Sequence, residues 1–303
     1  MPPLASNNTK GDSGTLHHLL ISCVVNKFIK LFIVKVIECR MGDTYSRNYL
    51  SNIVECKWMT ISENKALQII QHMCQYTDDI NSETKKMINL YDGLSLENIS
   101  DSDIFSELCW VIYTSGFKYD IIKKYWPTIR ESYCLFDVNK VASFLSDIEY
   151  FSKKICEISG FNNLKKANWC IQNAKRIIEL NDENENYSGL KGYLINLSMK
   201  KPVEIIEQVP IIVDYLQFKG IGQINIFHLL KNVGIKIFKP DIHVRRLLYN
   251  IGLINDNNKS LRDIYNAMQY LSHCTGFDIV VLDTILFNYG RFAGDFIDLE
   301  CLR

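Results

Sequence analysis

Helical periodicity is the feature of this sequence that most constrains its fold. From about residue 60 onward, apolar residues recur every three or four positions, which is the spacing of one face of an α-helix. One such segment opens at Ser102 or Asp103 and closes at Gly116, and another covers 164–180. The one stretch that alternates, 234–238, is too short to found a sheet. The pattern therefore predicts an all-α protein.

Composition excludes some functional classes and leaves others open. The chain has 303 residues, 47% of them hydrophobic, which is ample for a real core. Its 34 basic and 34 acidic residues balance, so the overall charge predicts no partner. Its ten cysteines include no pair at CxxC spacing, so the sequence signals neither a zinc site nor an iron–sulfur cluster. We expect no metal and no cofactor, and reduced thiols in a cytoplasmic protein.

The first 40 residues differ from the rest. After a polar start, a strongly apolar run is interrupted by Lys27, Lys30 and Lys35. A transmembrane helix needs about 20 nearly uncharged residues, so an extra packed helix is favoured over a membrane anchor. A mis-called start, with translation beginning at Met41, is a further alternative.

The chain is predicted to have four segments. Residues 1–40 form the extension, and residues 41–100 form helices that pack with the C-terminal ones. Residues 101–235 form a central helical domain with a hairpin at 216–234, and residues 236–303 form the C-terminal helices. The expected architecture is two helical subdomains with a cleft between them.

A glycine turn in this hairpin is the first candidate for a binding site. Gly220-Ile221-Gly222 joins two apolar segments, and backbone N–H groups at the start of the second can bind a phosphate. An ordinary helix–helix turn is the alternative. Between Asp214 and Arg246 the chain carries six basic residues against two acidic ones, and such a local excess is typical of phosphate binding.

Asp241 follows Pro240 and begins the next helix, where most aspartates are simple N-caps. Asp241 also has a second interpretation, because it lies one helix and a short loop after the glycine turn. The order FKGIG, a helix, a short loop and then DIHVRRLL resembles the helix-hairpin-helix DNA glycosylases. The resemblance implies that Asp241 is the catalytic carboxylate. It also implies that DNA phosphate is bound by the turn and its surroundings, namely Lys219, Gly220, Ile221, Gly222, His243 and Arg245.

A second resemblance covers residues 104–180. The signposts LC…G, FD…VA and N…K…NA are similar to 3-methyladenine DNA glycosylase I. It implies that the turn at Phe117 enters the duplex as a plug, and that Trp110 and Tyr113 are candidates to clamp the flipped base. For both, packing in the core is the favoured alternative, because aromatic residues at helical spacing usually belong to the core.

Two departures from these families change the expected chemistry. Relatives that also cut the backbone carry a lysine where this chain has Ile224, so a monofunctional enzyme is expected. A glutamate that reads the purine in 3-methyladenine glycosylase I is replaced by Val111. Weak release of 3-methyladenine is therefore predicted.

The resemblance thus implies an enzyme that removes a modified base from double-stranded DNA. We expect a monomer without a membrane partner. An alkylated purine is the family's substrate, and a bulky hypermodified phage cytosine, removed in antiviral defence, is the alternative because the small Val111 leaves room. A non-catalytic DNA-binding module and a membrane-tethered protein are the other classes.

Overall fold

The computed structural model describes residues 61–76, 94–183, 187–255 and 260–294, together with positions 82, 84–86 and 89. These residues form α-helices and short 3₁₀ turns, and they contain no β-strand. The prediction of an all-α protein is confirmed. The apolar extension at 1–40 and most of segment 41–100 lie outside the described residues, and the four-segment division stays a prediction.

Twelve α-helices make up the described part of the chain. They are α1 (Glu63–Gln75), α2 (Asp101–Thr114), α3 (Tyr119–Ser132), α4 (Val138–Ser143), α5 (Ile148–Ser159), α6 (Leu164–Asp182), α7 (Gly189–Ser198), α8 (Pro202–Leu216), α9 (Gln223–Asn232), α10 (Ile242–Asn250), α11 (Leu261–Thr275) and α12 (Ile279–Ala293). Two 3₁₀ turns, Cys134–Phe136 and Phe144–Asp147, flank α4.

Local capping sets where the helices begin. Ser100, rather than Ser102 or Asp103, is the N-cap of α2: its hydroxyl accepts from the Asp103 amide, and the Asp103 carboxylate accepts from the Ser100 amide. This reciprocal pair satisfies two amides that lack partners inside the helix. The periodic pattern therefore predicted the helix, while its cap lies two to three residues earlier than expected.

The alternating stretch at 234–238 forms no strand. Its residues Ile235, Ile237 and Phe238 are buried, and the segment connects α9 to α10 as irregular chain. Burial of Ile235 and Ile237 on either side of the exposed Lys236 explains an alternating pattern that resembles a strand.

Packing brings the central helices together with the C-terminal ones. Helix α6 contacts α2, α4 and α5, whereas α12 contacts α1, α10 and α11. Helix α9 lies against α2 and α8. The connection after α9 therefore carries the chain from the central helices to α10.

No single helix among the described residues has both the length and the apolar composition of a membrane span. Helices α11 and α12 reach those values only as a pair, and they are bent by 102° at the break between them.

Candidate active site

The glycine turn before α9 is built from two different glycines. Gly220 has φ +79°, and a Cβ on it would lie 2.5 Å from Cε3 of Trp169. Gly222 has φ −104° and is the N-cap of α9, and a Cβ on it would meet no atom within 4 Å. Glycine is therefore required at Gly220 by the fold. At Gly222 nothing within the described protein requires it.

Side chains of helix α6 hold the glycine turn in place through hydrogen bonds to its backbone. The fully buried Asn173 accepts from the Lys219 amide (2.7 Å) and donates to the Lys219 carbonyl (3.0 Å). Arg176, one turn later, donates to the carbonyls of Leu216 and Tyr215 at the end of α8, each at 3.2 Å. These bonds hold the backbone in one conformation and leave the Lys219 side chain exposed.

Ile221 has a different role from the predicted phosphate contact. Its amide donates to the Phe218 carbonyl (3.2 Å), and its side chain is buried. The residue therefore closes the turn. The amides left for an anion are those that begin α9, since the first turn of a helix has no internal acceptors for them.

The turn that carries Phe117 lies beside this hairpin. Asn225 of α9 donates to the Ser115 hydroxyl (3.2 Å). The Lys166 ammonium donates to the Ile112 and Ser115 carbonyls and lies 5.1 Å from the centre of the Phe117 ring. The Phe117 side chain is 40% exposed. The predicted plug and the predicted phosphate site are therefore neighbours.

A cleft of about 430 Å³ opens between α2, α3, α9 and α12. This volume lies within the range of about 300–1,000 Å³ that is usual for small-molecule sites. Its walls combine aromatic rings with charged and amide groups. The lining residues are Leu94, Glu107, Trp110, Tyr119, Lys123, Trp126, Pro127, His228, Lys231, Asn232, Lys239, Asp241, Asp283 and Phe287.

Asp241 serves as an N-cap and also lines this cleft. One carboxylate oxygen, Oδ1, accepts from the Val244 amide (3.1 Å). The other, Oδ2, lies 3.7 Å from the Lys239 ammonium, and 11% of the side chain is exposed. The two interpretations of Asp241 are therefore compatible, because the cap fixes the carboxylate while one edge still faces the cleft.

A buried ion pair stands next to Asp241. The Lys231 ammonium lies 2.5 Å from Oδ2 of Asp283, and both side chains are at most 5% exposed. Asp283 lies within α12, four residues after the helix begins at Ile279. Burial raises the pKa of the Asp283 carboxyl above its ordinary value. The positive charge of Lys231 acts in the opposite direction, and the negative charge of Asp241 raises this pKa further.

His228 faces the same cleft from α9. Burial, together with the positive charges of Lys239 and Lys231, lowers the pKa of its imidazole well below the ordinary value. The ring is therefore neutral at pH 7.

The two aromatic candidates lie in different places, one in the cleft wall and one in the core. Trp110 lines the cleft, and the centre of its ring lies 4.8 Å from that of Trp126 and 5.5 Å from that of Tyr119, in edge-on contacts. Tyr113 is fully buried, and its hydroxyl is 3.0 Å from that of Tyr133. Val111 is also fully buried and does not line the cleft. Trp110 therefore remains a clamp candidate, whereas Tyr113 and Val111 belong to the core.

Sequence reasoning missed Glu107, which lines the cleft one helical turn before Val111. Asn232 donates to its carboxyl group at 2.8 Å. Burial raises the pKa of Glu107 to about 7. The hydrogen bond from Asn232 acts to lower this pKa, and the negative charge of Asp103 acts to raise it. The available signal was a glutamate among the apolar residues of α2, but periodicity alone does not reveal what faces it.

Two other predicted phosphate ligands lie on α10, away from the glycine turn in sequence. Arg245 donates from Nε to the Pro240 carbonyl (2.8 Å), which fixes the loop before Asp241. The His243 ring lies 6.0 Å from that of Phe287. Both side chains support the segment that carries Asp241, and their contact with DNA stays a prediction.

A family model described as methyladenine glycosylase matches residues 81–263, which is well over half of the chain. The matched range includes α2, the glycine turn and Asp241. No curated protein and no solved structure matches.

Proposed function

The chain belongs to the methyladenine glycosylase family of DNA glycosylases, and we propose that it removes a modified base from DNA by hydrolysis with Asp241 as its catalytic carboxylate. One observation carries the proposal. Asp241 is fixed by its N-cap bond in the wall of an aromatic-lined cleft, directly after the hairpin and helix that resemble the DNA-binding motif. DNA is the substrate of this family.

DNA binding is proposed to use the surface around the glycine turn. The amides at the start of α9 and the exposed Lys219 suit a backbone phosphate. Phe117, beside them, suits the gap that a flipped nucleotide leaves in the stack. Flipping costs a few kcal/mol of unstacking, which such a plug offsets in part.

In the proposed reaction, the flipped base enters the cleft against Trp110. As the N-glycosidic bond breaks, positive charge develops on the sugar. A preorganised carboxylate stabilises that charge and orients the attacking water. Asp241 meets this requirement because the Val244 amide and the Lys239 ammonium hold it in place. The product is an abasic site.

Strand cleavage is not proposed. A lyase needs a neutral amine that can attack the sugar, and Ile224 occupies the position of that lysine in bifunctional relatives. Of the lysines that line the cleft, Lys231 and Lys239 have their ammonium groups beside the carboxylates of Asp283 and Asp241. These two pairings support a monofunctional enzyme.

An alkylated purine and a bulky hypermodified cytosine both remain proposed substrates. Val111 does not distinguish between them, because its side chain does not line the cleft. Mass spectrometry of the bases released from alkylated, deaminated and phage-modified DNA tests the proposal. Release of a modified base with alkali-labile sites left in the strand is expected. If the protein binds these DNAs and releases no base, it is a non-catalytic binding module.

A further inference from the structure

The cleft contains a second carboxyl group in a very different environment from that of Asp241. Glu107 is held by the Asn232 amide at 2.8 Å, and no other hydrogen bond to its side chain forms within the part of the chain that the structure describes. Asp241 instead accepts from a backbone amide and lies beside Lys239. One carboxyl is therefore surrounded by groups that stabilise its charge, and the other is mainly desolvated.

This difference bears on the protonation of Glu107. Burial is the largest influence on Glu107 and raises its pKa to about 7, so that a large fraction carries a proton near neutrality. A desolvated carboxyl group in the same cleft as a second carboxyl in polar surroundings is the pattern of a general acid. Glu107 is also within the cleft, where a flipped base would contact it.

We propose that Glu107 is the general acid that protonates the departing base, and that the substrate is consequently a base that is uncharged before cleavage. This inference rests on the proposed function, since it requires Asp241 to act at the sugar. An alkylated purine with a positive ring leaves without a proton, and a site made for it alone has no use for an acid. A neutral base leaves as an anion unless it is protonated.

The proposed step transfers one proton from Glu107 to the base and one hydroxyl from water to the sugar. The bond between the sugar C1′ and the base nitrogen breaks, and its electron pair goes to the base. The Glu107 proton passes to a ring nitrogen of the base, which departs neutral. Water adds its hydroxyl to C1′, and its remaining proton returns through solvent to the Glu107 carboxylate.

Several charged or titratable groups face the same cleft and share its electrostatics. Asp103 of α2, which does not line the cleft, opposes ionisation of Glu107, and the neutral His228 of α9 contributes no charge. The other groups of the cleft wall are Tyr119, Lys123, Lys231, Lys239, Asp241 and Asp283. The Lys231–Asp283 and Lys239–Asp241 pairs each hold opposite charges together. Glu107 has an amide rather than a cation as its direct partner.

The test compares two kinds of leaving base. Duplexes with 7-methylguanine carry a cationic base, whereas duplexes with hypoxanthine, 1,N6-ethenoadenine or glucosylated hydroxymethylcytosine carry neutral ones. Single-turnover release is measured for the natural protein and for Glu107→Gln, which keeps the shape and can still accept from Asn232. Glu157→Gln, at an exposed position of α5, is the matched control.

The natural protein is expected to release at least one of the neutral bases, with a rate that falls about tenfold per pH unit above pH 7. Glu107→Gln is expected to release the neutral base about 10²- to 10⁴-fold more slowly than the natural protein, which is the usual contribution of a general acid. Any release of 7-methylguanine is expected to change by less than about tenfold. Glu157→Gln retains the natural rates.

Two results overturn the inference while leaving the proposed function intact. One is release of 7-methylguanine with none of the neutral bases. The other is an equal loss for both kinds of base in Glu107→Gln, which indicates a structural role. If the natural protein releases no base at all, the proposed function fails and the inference fails with it. Circular dichroism of each variant verifies that the helices are intact.

Discussion

The two glycines of the hairpin provide a test in which folding and DNA binding are separated. Gly220→Ala and Gly222→Ala add the same methyl group two residues apart. At Gly220 the backbone is left-handed, and the new Cβ would lie 2.5 Å from the Trp169 ring. At Gly222 the backbone is ordinary, and the Cβ points into open space where a phosphate is proposed to bind.

The expected magnitudes follow from this geometry. A left-handed alanine costs about 1–2 kcal/mol, and the clash with Trp169 adds about 1–3 kcal/mol. Gly220→Ala should therefore lower the free energy of unfolding by about 2–5 kcal/mol. Gly222→Ala should lower it by no more than about 1 kcal/mol, the scale of an N-cap change. Its effect falls on DNA, because losing a charge-assisted bond to phosphate costs about 1.5–3 kcal/mol, or about tenfold to a hundredfold in Kd.

Urea unfolding measures the stability of both variants, and fluorescence anisotropy with a labelled duplex at fixed salt measures affinity. The loss for Gly222→Ala should be similar for all DNA sequences, since a phosphate carries no base information. If Gly222→Ala folds and binds DNA as tightly as the natural protein, the hairpin is structural only.

The remaining predictions concern the cleft and the plug. Borohydride should trap no covalent adduct with DNA, because Ile224 cannot form a Schiff base and Lys231 is paired; a trapped adduct contradicts the monofunctional assignment. Lys231→Met should lower the free energy of unfolding in urea by about 3–5 kcal/mol, because it leaves the buried Asp283 carboxylate without its cation. A decrease below about 1 kcal/mol would show that the pair is solvated. Phe117→Ala should slow base release from duplex DNA about tenfold and leave release from single strands unchanged; equal effects on both would exclude a plug.

The sequence predicted most of the fold because local rules determine it. The stripe over 164–180 corresponds to α6, and Gly116, which was predicted to close the first segment, follows the end of α2 at Thr114. The cap of α2 was misplaced because Ser100 and Ser102 each precede an aspartate, which offers more than one possible start. The stretch 234–238 shows that an irregular connection with the exposed Lys236 between the buried Ile235 and Ile237 imitates the alternation of a strand.

The site was predicted less completely because its composition depends on packing between distant helices. Asp241 and the glycine turn are close in sequence and follow a recognisable order. Glu107 enters the cleft only because α9 brings Asn232 against α2, 125 residues further along the chain. Val111 was assigned to the pocket by the family resemblance, but it faces the core, whereas Glu107 and Trp110 of the same helix line the cleft.

The central claim is that the Asp241 carboxylate drives base release, and Asp241→Asn tests it most directly. Asparagine is an equally good N-cap, so α10 should keep its start while the negative charge in the cleft disappears. Asp278→Asn, at the exposed N-cap of α12, is the matched control. Single-turnover release of the protein's best modified base should fall about 10²- to 10³-fold in Asp241→Asn, with DNA binding retained and the control unchanged. Release at the natural rate by Asp241→Asn would contradict the assignment of Asp241 as the catalytic residue.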